Sequence, residues 1–196
     1  SEGSQIGRGE PVQDTARVLS RYVDGIMIRT FEQKEVEDFA RYGSVPVING
    51  LTDFCHPCQI LADLMTIREY KGSFDGLKMC FIGDGNNMMN SLIVGCLKVG
   101  MAVSVACPEG YRPPQEILDF AGAYDCFELT DDPLTAAKDA DVVITDVWTS
   151  MGQEEERAAR EKAFAGYCVD DRIMAAAKPD AIVQHCLPAH RGEEIT

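Results

Sequence analysis

Three short polar clusters contain the side chains of this sequence that are best suited to chemistry. They are His56-Pro57-Cys58-Gln59, the segment from Asp146 to Gly152, and His185-Cys186-Leu187-Pro188. Each follows an apolar run typical of a buried strand, or lies close behind one. Sites in α/β proteins gather at the carboxyl ends of parallel strands, so the three clusters can converge on one cleft. A carboxylate, a hydroxyl, an imidazole, an amide and a thiol would then face a small polar substrate.

The elements that would position these clusters alternate between strands and helices. Apolar runs such as residues 77–82 and 142–145 predict buried strands, and segments of helical periodicity separate them. The alternation predicts an α/β protein with parallel sheets. A polar break at Lys71-Gly72-Ser73 follows one long predicted helix. We therefore expect two domains, residues 1–70 and residues 71–196, with that helix as the connector.

Local signals predict the limits of several elements. Residues 25–28 predict a buried strand that ends at Arg29, and residues 102–106 predict a further strand. Pro57 and Pro113 predict helix starts. The caps of two later helices would be Asp131 or Asp132 and Asp170 or Asp171. Residues 153–164 predict a charged, exposed helix in which Glu156 and Arg160 lie four positions apart.

The composition argues against several classes of partner. Of the 196 residues, 45% are hydrophobic, which is enough for a sizeable core without disulfides. The net charge of -14 disfavours nucleic acid and anionic membrane surfaces as partners. We find no secretory leader and no apolar run long enough to cross a bilayer. Most of the 8 cysteines lie within apolar runs, so we expect a cytoplasmic protein with free thiols.

The predicted first domain offers a cation and two polar groups near a helix start. Arg29 ends a predicted strand, where a guanidinium can bind phosphate or carbonyl oxygens through paired hydrogen bonds. A plain surface arginine fits the spacing equally well. His56 and Gln59 lie one helical turn apart near a helix N-terminus, an end that favours anions. The histidine could polarise a carbonyl oxygen, and the glutamine amide could bind an NH₂ group.

A zinc site is an alternative interpretation of the same region. Cys55 and Cys58 flank His56 and resemble one half of a structural zinc site. Such sites need four ligands, usually in two paired clusters. The second cluster would have to be His185-Cys186 with His190, and no second C-x-x-C motif supports it. We therefore expect no metal here.

The turn Gly83-Asp84-Gly85-Asn86-Asn87-Met88 follows a predicted strand and opens a helix, as a dinucleotide fingerprint does. Glu109 even stands near the expected acidic position. Met88, however, occupies the place of the third glycine and would crowd the close packing of helix on strand. The alternative is that the asparagine side chains themselves contact a ligand. A dinucleotide-dependent oxidoreductase stays open on these residues alone.

Asp146 and Cys186 each end a predicted strand of the second domain. The carboxylate of Asp146 could bind an ammonium group, while Ser150 and the backbone near Met151 could bind a carboxylate. An amino acid presents both groups. Gly152 would serve as a hinge, although an ordinary capped helix also fits. Cys186 would react as a thiolate and so needs positive or donor-rich surroundings; a buried, inert cysteine is the common alternative.

These motifs, in this order, resemble those of the ornithine carbamoyltransferases. The resemblance runs from about Gly7 to the last residue, and Ser150-Met151-Gly152 separates the ornithine enzymes from their aspartate-using relatives. It implies transfer of the carbamoyl group of carbamoyl phosphate to the side-chain amine of L-ornithine, which yields L-citrulline and phosphate without a cofactor. It also implies a carbamoyl-phosphate domain, a Rossmann-like ornithine domain, and a homotrimer or a multiple of it.

The resemblance assigns roles residue by residue. The groups that would bind carbamoyl phosphate are Arg29, His56, Gln59, Cys186 and Leu187. Those that would bind ornithine are Asn87, Asp146, Ser150 and Met151. Arg29 and His56 would stabilise charge on the carbonyl oxygen. Cys186 would accept a proton from the attacking amine.

The sequence departs from the family pattern at its two ends. The family's phosphate-binding Ser-Thr-Arg-Thr-Arg loop would precede Gly7, and a helix with a further arginine would follow Gly192-Glu193-Glu194. Neither is among these residues. The chain thus resembles an internal fragment with an incomplete carbamoyl-phosphate domain, and we expect little or no activity from it alone. A non-catalytic fragment that only binds ornithine is a further interpretation.

Overall fold

The computed structural model describes residues 9–149 and 154–196, except the side chain of Glu154. It has two compact units, Ser1–Cys58 and Gln59–Thr196. The predicted domain boundary between residues 70 and 71 stays a prediction. Among the described helices, none has the length and apolar character needed to cross a membrane.

The first unit is a pair of parallel strands with two helices. Its elements are α1 (Val12–Leu19), β1 (Ile26–Arg29), α2 (Gln33–Tyr42) and β2 (Val47–Leu51). Ala16, Val36 and Phe39 are the buried apolar side chains of the two helices. In the sheet, Met27 pairs with Ile48, and both are exposed, at 66% and 53%. The prediction of a buried strand at residues 25–28 is therefore wrong, since one face of β1 is exposed.

The second unit contains a five-stranded parallel sheet in the order β5-β4-β3-β6-β7. The strands are β3 (Lys78–Ile82), β4 (Ala102–Ala106), β5 (Phe127–Thr130), β6 (Val142–Thr145) and β7 (Ile182–His185). The helices of this part of the chain are α3 (Pro57–Lys71), α4 (Asn87–Lys98), α5 (Gln115–Ala121), α6 (Pro133–Ala137), α7 (Arg157–Ala163) and α8 (Asp171–Ala176). The chain runs outward from β3 to β5 and then crosses to the other side of β3. The predicted parallel α/β fold is confirmed, and its switch point lies between β3 and β6.

Close packing of helices and strands fixes the sheet in this unit. The central strand β3 is buried from Met79 to Ile82, and a hydrogen bond of 2.7 Å from Thr145 Oγ1 to the Ile82 carbonyl joins it to β6. Helix α3 contacts α4 at Gly95, where a Cβ atom would lie 2.5 Å from Cγ2 of Ile60. Only glycine allows that approach without a shift of Ile60.

Polar side chains and prolines determine where several helices begin. The carboxylates of Asp132 and Asp170 accept backbone N–H groups at the starts of α6 and α8, each being one of two predicted caps. The predicted helix start at Pro113 is wrong, because α5 begins at Gln115 after an extended Pro114. A residue that precedes a proline is biased away from helical geometry, so consecutive prolines delay the helix.

Candidate functional site

Three loops of the second unit meet at the carboxyl edge of its sheet. The glycine turn follows β3, Asp146 follows β6, and Cys186 follows β7. These strands are neighbours in the order β3-β6-β7, and the switch point lies among them. Ligands of doubly wound folds bind outside the carboxyl ends of strands at such a point. The sheet therefore brings the predicted residues Asp146 and Cys186 to one place.

The carboxylate of Asp146 is the centre of this site and is fixed from two sides. Cys186 Sγ donates a hydrogen bond to its Oδ1 over 3.0 Å, and Asn86 Nδ2 donates to its Oδ2 over 2.8 Å. The backbone N–H of Val147 also donates to Oδ1, over 2.8 Å. Asp146 is 7% exposed, so water competes little for these contacts. The arrangement leaves a well-oriented negative group that can receive a cation.

The surroundings of Cys186 in the described structure are not the positive or donor-rich setting that a reactive thiolate needs. Burial raises the pKa of the Cys186 thiol, and the charge and hydrogen bond of Asp146 raise it further, with a smaller effect from Asp63. The residue is therefore a thiol that donates to a carboxylate. A reactive thiolate would need an additional positive charge at this position.

In the glycine turn, an asparagine side chain occupies the backbone N–H groups that a nucleotide would need. Gly85 donates its N–H to the Tyr111 carbonyl over 2.8 Å, and a Cβ there would lie 2.4 Å from the Arg112 carbonyl carbon. Oδ1 of Asn86 accepts the N–H groups of Met88 and Met89. A pyrophosphate would need such N–H groups at the helix start. The geometry therefore disfavours the dinucleotide interpretation. Asn87 is half-buried as the first residue of α4.

Asp84 of this turn forms a buried ion pair with Arg160, which the sequence did not reveal. Arg160 Nη1 lies 2.7 Å from Asp84 Oδ2 and 3.0 Å from the Trp148 carbonyl oxygen, with its guanidinium over the Tyr111 ring. The predicted pair of Arg160 with Glu156 is present at 3.1 Å, but the prediction that Arg160 is exposed is wrong. Burial raises the pKa of Asp84, and Arg160 offsets part of that rise.

This ion pair connects the glycine turn to the peptide just before Ser150. Trp148 begins the segment that contains the two remaining predicted ornithine contacts, Ser150 and Met151, which lie outside the described residues. Asp84 is part of the glycine-turn motif and Arg160 follows a run of glutamates, so each was visible in the sequence. Their pairing was not, because 76 positions separate them.

The side chain of His185 accepts a hydrogen bond from the backbone of the turn that contains Leu187. The Leu187 N–H donates to His185 Nδ1 over 2.8 Å, and His185 Nε2 lies 3.1 Å from Glu194 Oε1. Leu187 has a φ of 59°, a left-handed value that a leucine rarely adopts without support. Glu194 is fully buried and was not among the predicted site residues. The pair holds the backbone next to Cys186 in one conformation.

The other predicted site residues lie at the end of β1 and around the start of α3. Arg29 is exposed at the end of β1, and His56 directly precedes α3. Gln59 lies in the first turn of α3 and is half-buried. Its Nε2 donates to Asp63 Oδ1 over 3.0 Å. The hydrogen bond to Asp63 thus orders the Gln59 side chain. Arg29, in contrast, is an exposed residue at the last position of its strand.

The two cysteines of the zinc alternative form hydrogen bonds within the protein. Cys55 Sγ lies 3.2 Å from Asn49 Nδ2 and 3.4 Å from Gln33 Oε1. Cys58 Sγ lies 3.2 Å from the Asn49 carbonyl oxygen. Across the described residues, two other sets have ligand atoms within 4.8 Å of one another: Asp146 with His185 and Cys186, and His190 with Glu193 and Glu194. The first set coincides with the candidate site. The expectation of no metal stays a prediction.

The fold and the site define a doubly wound α/β protein with a buried carboxylate at its switch point. Residues 75–196 match the family model of the aspartate/ornithine carbamoyltransferase Asp/Orn binding domain, and residues 1–69 match that of the carbamoyl-P binding domain. The chain therefore belongs to the aspartate/ornithine carbamoyltransferase family.

Individual relatives show how similar this chain is to other members of the family. It is 61% identical over 198 residues to the ornithine carbamoyltransferase of Geobacter metallireducens, a match that covers 100% of this chain and 65% of the relative. A solved ornithine carbamoyltransferase from Pyrococcus furiosus is 53% identical with a TM-score of 0.93, and the match covers 100% of this chain and 64% of that one. The anabolic enzyme of Campylobacter jejuni is 44% identical with a TM-score of 0.94, over 100% and 67%. The chain thus spans about 65% of the length of the Geobacter metallireducens relative.

Proposed function

We propose that this chain contributes to the ornithine carbamoyltransferase reaction, in which carbamoyl phosphate and L-ornithine give L-citrulline and phosphate. The observation that supports it best is the Asp146 carboxylate, oriented by Asn86 and Cys186 at the switch point. A cationic amino acid is the small molecule that such a group suits, and curated relatives with 54–61% identity are named for ornithine.

In this proposal the second unit binds ornithine. Asp146 receives an ammonium group, and a charge-assisted hydrogen bond in a water-poor site is stronger than a neutral one. Ser150 and the backbone at Met151 bind the carboxylate, and Asn87 contacts the same substrate. The buried pair of Arg160 and Asp84 would keep the peptide before Ser150 in place.

Cys186 and Asp146 together would remove the proton from the attacking amine. The amine of ornithine must be neutral to attack the carbamoyl carbon, and it arrives as an ammonium ion. That cation supplies the positive charge that a thiolate needs, since a nearby positive charge lowers the pKa of a thiol. With the substrate bound, the Cys186 thiol can pass its proton to the Asp146 carboxylate, and the resulting thiolate can accept a proton from the ammonium. The proton of the amine is then held by the Cys186–Asp146 pair, and the amine is left neutral.

Four residues would bind the carbamoyl group in this proposal: Arg29, His56, Gln59 and Leu187. Arg29 and His56 stabilise negative charge on the carbonyl oxygen as the tetrahedral intermediate forms, the kind of preorganised electrostatic effect that is usually large. Gln59 and the Leu187 carbonyl bind the carbamoyl NH₂, and phosphate leaves. The scheme needs no cofactor, and we expect a homotrimer or a multiple of it in the cytoplasm.

A citrulline assay tests the proposal in two forms of the protein. The first form is the 196-residue chain, and the second is that chain extended by the segments of the Geobacter metallireducens relative that it does not match. We expect clear citrulline formation from the extended form. We expect little from the 196-residue chain, because phosphate contacts of about 1.5–3 kcal/mol each are missing from its sequence.

The controls separate the remaining interpretations. Carbamoylation of aspartate in place of ornithine would contradict the choice of substrate. Tight binding of NAD(P)H without citrulline would favour the dinucleotide-dependent oxidoreductase. Ornithine binding by an extended form that never produces citrulline would favour a non-catalytic binding protein.

A further inference from the structure

Helix α3 carries a buried acidic residue on its apolar face. Asp63 is 6% exposed and shares that face with Ile60, Leu64 and Ile67. Its Oδ2 atom is buried without a hydrogen-bond partner among the described residues. Burial raises the pKa of Asp63, and the hydrogen bond from Gln59 offsets only part of that rise. An ionisable group in such a place lowers stability, so its presence calls for a reason other than packing.

Packing does not explain why a carboxylate is present. Gln184 Nε2 donates to the backbone carbonyl of Asp63 over 3.2 Å, a contact that any residue at this position would provide. The approach of α3 to α4 depends on Gly95 and Ile60. Neither contact uses the Asp63 side chain. A leucine or methionine would fill the same space without the desolvation of a charge.

The one polar contact of the carboxylate, among the described residues, is with Gln59. Gln59 Nε2 donates to Asp63 Oδ1 over 3.0 Å, one turn along the same helix. A carboxamide has a donor end and an acceptor end. Because a carboxylate only accepts, it binds the NH₂ end and turns the Oε1 atom of Gln59 away from itself. The reverse rotamer would place oxygen against oxygen and is excluded.

We propose that Asp63 is a positioning residue that fixes the Gln59 carboxamide with its oxygen directed at the carbamoyl NH₂. This inference rests on the proposed function, in which Gln59 binds that NH₂. A flipped Gln59 would oppose NH₂ to NH₂, and the contact would be lost. Asp63 thus acts through Gln59 and does not touch the substrate.

A double-mutant cycle in the extended, citrulline-forming protein tests the dependence on Gln59. We expect Asp63→Leu to lower kcat/KM for carbamoyl phosphate about tenfold, the loss of roughly one hydrogen bond, with a smaller change in KM for ornithine. In a Gln59→Ala background the same change should have no further effect on carbamoyl phosphate. Ile67→Val, on the same buried face, is the control for a destabilised helix and should leave both constants unchanged.

A reversal of the pair tests the direction of the hydrogen bond with near-isosteric variants that preserve the fold. Gln59→Glu alone sets two carboxylates against each other and should lower kcat/KM for carbamoyl phosphate. Adding Asp63→Asn supplies a donor to the new carboxylate, whose other oxygen can still accept from the carbamoyl NH₂, so activity should largely return. Asp63→Asn alone should be mild, because its amide oxygen can accept from Gln59.

The outcomes separate this inference from the function on which it rests. If Asp63→Leu has the same effect with and without Gln59, and Asp63→Asn does not rescue Gln59→Glu, Asp63 is only structural and the inference is wrong. If Gln59→Ala leaves the kinetics of carbamoyl phosphate unchanged, the role of Gln59 in the proposed function fails first. The two failures are distinguishable, because the effect of Gln59→Ala is measured with Asp63 intact.

Discussion

The two units of the chain contain parallel strands of similar apolar sequence in opposite environments. In the second unit, Met79 on β3 is fully buried, and the strand has neighbours on both sides. In the first, Met27 occupies the same second position of β1 and is 66% exposed. Parallel sheets are stable when both faces are covered. An apolar run therefore determines that a strand forms, whereas the elements around the strand decide whether it is buried.

The two units should differ in the protection of their backbone amides. Hydrogen exchange followed by mass spectrometry on the 196-residue chain should show peptides across β3 protected about a hundredfold or more over those across β1. The physical reason is that β3 opens only when the central sheet unfolds, while β1 has one partner strand among the described residues. Equal or stronger protection of β1 would remove the contrast between the units.

Loss of the buried ion pair should destabilise the second unit strongly. Arg160→Met leaves the Asp84 carboxylate buried without its cation, which should lower the free energy of unfolding by about 3–5 kcal/mol. Arg157→Met, which breaks exposed pairs on the same helix, is the matched control and should change little. Chemical denaturation measures both.

The pH dependence of that variant has a defined sign. A carboxyl group with a raised folded-state pKa stabilises the fold when protonated and loses this contribution as pH rises through the folded pKa. Arg160 limits the rise for Asp84, so its removal should raise that pKa further. The penalty of Arg160→Met should therefore be smaller at about pH 5 than at about pH 7. A penalty independent of pH would show that lost packing of Arg160, rather than its charge, is responsible.

Substituting the methionine at the second position of β3 and of β1 measures the difference between the two sheets directly. Met79→Thr introduces a cavity and a hydroxyl into the core and should cost about 2–4 kcal/mol of unfolding free energy. Met27→Thr alters an exposed side chain and should stay within about 0.5 kcal/mol. The melting temperatures of the two variants in the 196-residue chain provide the measurement, and similar losses would contradict the comparison.

A further expected change concerns chemistry in the extended protein. Asp146→Asn should lower kcat/KM for ornithine about a hundredfold, or about 2.7 kcal/mol, because the substrate ammonium loses its counter-charge. Cys55→Ser in the first unit should leave the kinetics nearly intact, since Cys55 only forms internal hydrogen bonds. Steady-state kinetics of citrulline formation compares them.

Cys186→Ser should fall between these two variants. A hydroxyl keeps the hydrogen bond to Asp146 but ionises less readily, so kcat should drop and one limb of its pH profile should be lost. If Cys55→Ser abolishes activity and a chelator does the same, the zinc interpretation was correct and Cys55 has been misassigned.

Local features of the fold were predictable from neighbouring residues. The limits of β4 agree with the predicted run, and Pro57 marks the start of α3 as expected. Asp132 and Asp170 cap their helices because a cap acts within a few positions of its own backbone. The burial of β1 was mispredicted, since no signal within residues 25–29 tells what covers them.

The site was predictable only in part for a similar reason. Asp146 and Cys186 follow strands, so the rule for parallel sheets places them at one edge without knowledge of side-chain contacts. Asp84 and Arg160 meet across 76 positions, and Asp63 looks like an ordinary polar interruption of an apolar stripe. Long-range polar pairs have no sequence period, so only the folded geometry reveals them.

The position of Trp148 makes the site visible to spectroscopy. It is the one tryptophan of the sequence, it is 6% exposed, and it stacks on Phe164 at 5.8 Å between ring centroids. Its peptide carbonyl receives Arg160, two residues before Ser150. An indole in a dry aromatic cluster emits at shorter wavelength than one in water. Any movement that lets water reach it should therefore shift the intrinsic fluorescence of the whole chain, which offers a label-free optical signal for events at this edge of the sheet.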